Sequence, residues 1–206
     1  MNKIRILIAD DHKIVRMGLK ALISSENDMD VVGEADDGAV AVSEAVRLAP
    51  DVVVMDLMMP VMDGEAAIAE LRKKCPSAKT IVLTSFNSSD RIVKALECGA
   101  IGAVLKTSDD DTLLKAIRAV HQGEKFVSPE IKRLMSIDPP VQKLTPRQQE
   151  VLESLTQGLS NKDIACKLGI SNARVEELIT TLLPKIDAAN RTEAVAIALR
   201  KQLVKI

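Results

Sequence analysis

Asp10, Asp11, Asp56, Thr84 and Lys106 are the residues of this 206-residue chain whose types could do chemistry together. Each stands at or just past the end of a short apolar run: "IRILIA" precedes the first two, "DVVVMD" ends in Asp56, "TIVLTS" carries Thr84 and "GAVLKT" carries Lys106. Three carboxylates converging on one spot repel one another and raise each other's pKa unless a cation sits among them. A hard divalent ion such as Mg²⁺, bound through oxygens and keeping some of its waters, meets that need. An ammonium and a hydroxyl nearby add positive charge and a hydrogen bond. Together these groups make a pocket for a phosphoryl group on one of the carboxylates. A lone Asp after a strand is most often a turn residue or a helix cap. Five complementary residues gathered at strand ends favour the chemical reading.

The elements that must position them follow from the pattern around them. Apolar runs at 4–9, 30–35, 51–56, 80–85 and 102–107 alternate with helical patterns such as Ile14, Val15, Leu19, Leu22, Ile23 and Leu113, Leu114, Ile117, Val120. Five strands alternating with helices imply right-handed βαβ units around a parallel sheet. "DVVVM" is apolar at successive positions, as a central strand covered on both faces should be. In such a sheet all the strand ends named above lie on one edge, where open α/β folds place their sites. The expected fold is α/β, a five-stranded doubly wound parallel sheet, followed by a small all-α domain.

Composition narrows the classes. Hydrophobic residues at 47% and charged residues at 28% are ordinary for a globular protein. Aromatics at 1%, only Phe86 and Phe126, nearly exclude single-stranded nucleic acid bound by base stacking. Cys75, Cys98 and Cys166 lack any CxxC spacing, which argues against a disulfide framework or zinc site and fits a reducing compartment. The opening "MNKIRILIADDHK" reads as a first strand rather than a signal peptide. No segment approaches the roughly 20 apolar residues that span a bilayer, so the expected location is cytoplasmic, without a membrane partner. The net charge of −1 hides a split: residues 143–206 hold ten Lys/Arg against seven Asp/Glu, leaving 18 basic and 22 acidic residues before them. An acidic front and a mildly basic tail suggest two jobs.

The predicted boundaries are a first domain over 1–122, a linker over 123–142 and a second domain over 143–206. Within the linker, "SIDPPVQK" (136–143) carries two prolines that cannot continue a helix. After it, Thr145, Pro146 and Gln148 form a capping-box helix start, and Ser160 with Asp163, then Ser171, mark two more. Gly169 in "KLGI" supplies the turn between the second and third helices, which gives a helix-turn-helix pattern. "RTEAVAIALRKQL" supplies a fourth helix.

Over about residues 3–122 the sequence closely resembles the receiver domain of bacterial response regulators, through "ADDH" (9–12), "MDLMMPVMDG" (55–64), "LTS" (83–85) and "LKT" (105–107). The resemblance implies that Asp56 accepts a phosphoryl group from a sensor histidine kinase. It implies that Asp10, Asp11, Asp56 and the Met58 backbone carbonyl hold Mg²⁺, and that Thr84 and Lys106 contact the phosphoryl oxygens and report their presence. His12 is expected to open the first helix rather than to act in catalysis. Receivers usually carry Tyr or Phe three residues before the lysine, a ring that turns inward on activation; here the position is Ala103. The signal is therefore expected to be weakened, or carried by Thr84 and the following loop alone. Met58 and Phe86, two residues past Asp56 and Thr84, flank the pocket, where they either shield it from water or simply pack.

Residues 143–204 resemble the helix-turn-helix domain of NarL/FixJ (LuxR-type) regulators, and "NRTEAVAIAL" fits their final, commonly dimerising helix. The resemblance implies binding to double-stranded DNA and a homodimer on activation. Its recognition helix departs from the family. Positions that usually face DNA with lysine, a small residue, histidine and a polar residue hold Glu176, Glu177, Leu178 and Thr180, while Val175, Ile179, Leu182 and Ile186 keep the core spacing. From Ser171 to Asp187 two basic residues face three acidic ones, a charge of −1. Lys162, Lys167, Asn172, Arg174 and Arg191 remain candidates to contact DNA around that face, and a glutamate can accept from cytosine N4. Pro184 is expected to kink or end the helix after about three turns. The expected function is a phosphorylation-gated regulator of transcription with weakened or altered DNA binding. The alternative is a regulator whose tail binds protein through an exposed Leu178 or the final helix. A phosphohydrolase is disfavoured, because the further catalytic residues it would need around the nucleophile are not found, so the chain is read as not an enzyme.

Overall fold

The computed structural model describes residues 3–85 and 89–204. Its strands are β1 (Ile4–Ala9), β2 (Met29–Ala35), β3 (Val52–Met55), β4 (Lys79–Thr84), β5 (Gly102–Leu105) and β6 (Phe126–Val127). They form one parallel sheet in the order β2-β1-β3-β4-β5-β6. The helices between them are α1 (Lys13–Ser24), α2 (Gly38–Leu48), α3 (Gly64–Lys74), α4 (Ser89–Cys98) and α5 (Asp110–His121).

Alternation along the strands builds two apolar layers, because successive side chains point to opposite faces. Ile6, Ile8, Val52 and Val54 join α1 and α5 on one face; Leu7, Ala9, Val53 and Met55 join α2, α3 and α4 on the other. All four β3 residues are buried, as a strand covered on both faces requires.

Two expectations are corrected here. The sheet has six strands, not five: Phe126 and Val127 pair in parallel with Gly102 and Ala103 of β5. The stretch 123–142, expected as a linker, carries that strand and also a 9-residue helix, α6 (Pro129–Ile137). Ser128 caps α6 by accepting from the Ile131 N–H, and Pro129 takes the first helical position, where its missing N–H costs nothing. Ile131, Leu134 and Met135 of α6 join the layer formed by α2, α3 and α4.

The chain divides into two compact units at Asp138/Pro139. The second has its own core and four helices: α7 (Pro146–Thr156), α8 (Asn161–Leu168), α9 (Asn172–Leu182) and α10 (Arg191–Arg200). The capping boxes at Thr145–Gln148 and Ser160–Asp163 are both formed, and Ser171 caps α9. Gly169 ends α8 in the left-handed conformation at φ 65°, which a residue without Cβ adopts at little cost. At Pro184 the chain tightens into a single 3-10 turn, Leu183–Ile186, so α9 stops after 11 residues. Among the described residues no helix is long and apolar enough to cross a membrane.

Candidate functional site

Backbone bonds between neighbouring strand ends bring the acidic cluster together. The Asp10 N–H donates to the Ala35 carbonyl at 3.1 Å, Asp56 to Ala9 at 2.8 Å and Lys106 to Thr84 at 2.9 Å. Asp10, Asp56 and Thr84 are buried, with Thr84 fully so. The turn after β3 is equally tight. A Cβ on Gly64 would lie 2.1 Å from the Asp56 carbonyl oxygen, so only glycine lets α3 start this close to the site. Asp63 caps α3 by accepting from the Ala66 N–H at 2.9 Å.

Asp56 spends both carboxylate oxygens. Oδ1 accepts from the Leu57 N–H at 2.7 Å and lies 3.4 Å from the Met58 N–H, and Oδ2 accepts from Lys106 Nζ at 2.6 Å. The same ammonium pairs with Asp10 Oδ2 at 2.5 Å. Burial pushes the Asp56 carboxyl above the usual carboxylate range, against the opposing pull of Lys106 and with repulsion from Asp10 adding to it. Burial acts to lower the Lys106 ammonium, but its pairing with Asp10 and Asp56 outweighs that and raises it. Two buried carboxylates therefore share one cation, and the cluster keeps an excess of negative charge.

That excess suits a divalent ion. One ligand atom each from Asp10, Asp11, His12 and Asp56 lies within 4.8 Å of the others. Asp10 Oδ2 is buried against the Lys106 ammonium, one cation shared by two carboxylates, which leaves the group short of positive charge. The three carboxylates of that group offer the oxygen donors that Mg²⁺ takes. His12 stands at the N-cap position of α1 but its ring caps nothing; Nδ1 lies 2.7 Å from Asp11 Oδ1 instead. Met58 is 38% exposed beside the site, and Phe86 lies outside the described residues. Ala103 is fully buried within the layer that contains Ile92 and Ile131.

In the second unit, the candidates separate by what already occupies them. Lys162 and Lys167 are exposed on α8, with Lys167 Nζ donating to Gln157 Oε1 at 2.9 Å. On α9, Arg174 pairs with Glu177 at 2.5 Å, Asn172 donates to Glu176 at 3.0 Å, and the Thr180 hydroxyl donates to the Glu176 carbonyl at 2.8 Å. Glu176 and Glu177 are exposed. Arg191 donates to Asn161 Oδ1 at 2.9 Å and to the Leu159 carbonyl, bracing α10 against the start of α8. Leu178 is corrected: it is not an exposed reading residue but a core residue, 6% exposed, packed with Val175 and Leu182. Ile179, expected in the core, is only half-buried.

Comparison with known proteins decides the family. The "Response regulator receiver domain" family matches residues 6–118, and "Bacterial regulatory proteins, luxR family" matches 142–198. The chain is a two-component response regulator. It belongs to the NarL/FixJ group with a LuxR-type output domain, a family of transcription regulators rather than enzymes. The regulator is 40% identical over 209 residues to the transcriptional regulatory protein LiaR of Bacillus subtilis, covering 98% of this chain and 99% of that one. It is 33% identical to the response regulator protein VraR of Staphylococcus aureus, covering 98% and 99%. Among solved structures, the response regulator RcsB in complex with DNA superposes with a TM-score of 0.73 at 28% identity, covering 97% and 99%.

Three features of the regulator's site carried no legible sequence signal. Val61 takes a left-handed φ of 62° while 90% exposed, a conformation β-branched residues avoid. Glu65 is buried at the start of α3 and paired with both Arg91 and Lys94 of α4 at 2.7 Å. The hydroxyls of Ser89 and Ser108, following Thr84 and Lys106, donate to the Asp138 carbonyl and to Glu130 at the two ends of α6, at 2.6 and 3.1 Å.

Proposed function

We propose that this regulator accepts a phosphoryl group on Asp56 from a sensor histidine kinase and, in response, changes how its C-terminal domain binds double-stranded DNA as a homodimer. The observation that carries the first step is Lys106 Nζ bridging the buried Asp10 and Asp56 carboxylates. In the transfer, an Asp56 oxygen forms a bond to phosphorus as the bond from phosphorus to the kinase's histidine nitrogen breaks. Asp10, Asp11, Asp56 and the Met58 carbonyl would hold Mg²⁺, which when bound would supply neutralising charge to the phosphoryl oxygens. Lys106 then exchanges its hold on the Asp56 carboxylate for a phosphoryl oxygen, and Thr84 offers its hydroxyl to another. Intact mass after treatment with a small-molecule phosphodonor in Mg²⁺ tests the acceptor: one phosphoryl group is expected on the parent and none on Asp56→Asn. A phosphorylated Asp56→Asn would place the acceptor elsewhere.

With Ala103 in place of a ring, the signal travels through Thr84 and the segment after it. The bond from Ser89 to the end of α6 supports this route, since it ties the start of α4 to the residue where the first unit ends. A phosphoryl mimic should shift amide resonances around Thr84, Ser89 and Asp138. A full set of shifts along both β4 and β5, of the kind an inward-turning ring produces, would count against the route.

DNA binding is supported by the capped helix-turn-helix geometry and by the RcsB–DNA likeness. The acidic face of α9 makes that binding weak or altered in sequence preference. One observation favours a second reading, in which the output domain acts on protein: Leu199 of α10 is 42% exposed. Duplex binding that is absent in both phosphorylation states, together with dimerisation lost on Leu199→Glu, would favour the second.

A further inference from the structure

Arg16 belongs to α1, yet its guanidinium is spent on the turn that carries the acidic cluster. Its Nη1 donates to the Asp10 carbonyl at 2.6 Å, and its Nε stands 3.7 Å from Glu34 Oε2. The Arg16 side chain is only 14% exposed, and Lys20 Nζ holds the other Glu34 oxygen at 2.8 Å. Glu34 faces α1 because of an irregularity in β2. The pairing with β1 slips by one residue between Ile6 and Leu7, so that Ile8 stands beside Glu34 and Ala9 beside Ala35. Ile8 lies in the layer shared with α1, whereas Ala9 lies in the opposite one. In unbroken register Glu34 would stand beside Ala9 and face away from Arg16; the extra residue re-aims it. The end of β2 therefore holds Asp10 twice. Ala35 accepts its N–H at 3.1 Å, while Glu34 backs the arginine on its carbonyl.

We propose that Arg16, aimed by Glu34, is a positioning residue for the divalent-ion site: by fixing the peptide between Asp10 and Asp11 it sets the affinity for Mg²⁺ without touching the ion. The proposal rests on the reading of Asp10, Asp11 and Asp56 as Mg²⁺ ligands. The Asp10 carboxylate has holds of its own, since Oδ1 accepts from the His12 N–H at 2.8 Å and Oδ2 pairs with Lys106. Asp11 differs. Its side chain is 32% exposed and lies against the ring of His12, itself exposed. Its place is set by the planar peptide that joins it to Asp10, and the oxygen of that peptide is the atom Arg16 holds. Mg²⁺ demands near-ideal octahedral geometry, so a carboxylate free to swing is a poor ligand for it. A guanidinium's planar fork reaches the carbonyl and the carboxylate at once, as an ammonium does not. Charge alone acts the other way: a cation near the cluster repels Mg²⁺, and deleting it by itself would tighten binding. The two effects have opposite signs, so the sign of the change separates them.

Calorimetric titration of the full-length chain with Mg²⁺ tests this. Arg16→Ala should weaken binding roughly tenfold, the low end of what supporting contacts behind a metal ligand give. Glu34→Ala should weaken it too, and the double variant should bind no more weakly than Arg16→Ala, as residues acting as one unit do. Arg16→Lys keeps the charge without the fork, so its affinity should fall between parent and Arg16→Ala. Phosphoryl uptake by Arg16→Ala from a small-molecule donor should be slow at limiting Mg²⁺ and return to the parent's rate at saturating Mg²⁺, a recovery that a damaged fold would not show. Parental or tighter Mg²⁺ binding by Arg16→Ala overturns the proposal, as do single effects that multiply in the double variant or uptake that stays slow at saturation. If a thermal melt shows Arg16→Ala unfolded, Arg16→Lys decides: parental affinity overturns the proposal and weaker binding sustains it. A parent with no Mg²⁺ binding beyond that of Asp10→Asn removes the metal reading and this proposal with it.

Discussion

Burial works against the charge on Asp56, and that has measurable consequences. Burial raises its pKa, so the folded chain binds its proton more readily than the unfolded chain in the range just above the ordinary aspartate value. Stability in metal-free buffer should therefore fall as pH rises through that window. Asp56→Asn leaves Lys106 paired with Asp10 alone and should raise metal-free stability by about 1 kcal/mol, most clearly at neutral pH. Denaturant melts at two pH values check it; a less stable Asn variant would mean that the Lys106 bond outweighs burial. Asp163 is the opposite case. The Ser160 hydroxyl it accepts from lowers its pKa, so its contribution to the start of α8 is present above the ordinary range and lost as pH falls through the folded value. Val61 makes the plainest residue-scale prediction. Its left-handed backbone costs a β-branched residue about 1–2 kcal/mol relative to one free to adopt it, so Val61→Gly should stabilise the chain by about 1 kcal/mol. An unchanged or lower melting temperature would refute this.

Among the elements, α6 and α9 show what the sequence could and could not reveal. The five longer strands were legible because four to seven residues of apolar run or alternation exceed what a loop carries by chance. β6 was not, since two residues have no period, and its pairing with Gly102 and Ala103 is made in three dimensions. The start of α6 was legible in principle: Ser128-Pro129 repeats the signal read at Thr145-Pro146, but the prolines at 139 and 140 drew the whole segment into a linker. Leu178 failed for a different reason. It lies three residues after Val175 and four before Leu182, the spacing of one buried helical face, yet family position assigned it outward. The docking of α6 rests partly on the buried Ser89 hydroxyl, so Ser89→Ala should cost about 1 kcal/mol and speed amide exchange in α6. On α9, Glu177 holds Arg174 at 2.5 Å, so one substitution removes a repulsive charge and frees a cation. Glu176→Lys with Glu177→Val should tighten duplex binding and steepen the log–log salt dependence by about 0.9 for each additional phosphate neutralised. An unchanged slope would mean that α9 does not approach the DNA backbone.

At the scale of the molecule, the charge split visible in the sequence matches the division of labour. The acidic first unit concentrates carboxylates where a cation and a phosphoryl group would balance them, and the mildly basic second unit carries the capped helices that would meet a polyanion. The receiver site was the most legible part of the chain, because the ends of parallel strands share one edge and the residue types complement one another. The output surface was the least legible, because its side chains bond to one another along α9 and from α10 to α8, and those partners cannot be read from spacing. Phosphorylation of Asp56 should change the output, and the affinity of the full-length regulator for duplex DNA reads that change. It is titrated across salt before and after phosphorylation, with Asp56→Asn alongside. The expected result is a salt-dependent affinity that changes at least about fivefold on phosphorylation, within the usual range of coupling between two sites, and no change in Asp56→Asn. Equal affinities in both states at every salt concentration, or a response that survives in Asp56→Asn, would overturn the coupling.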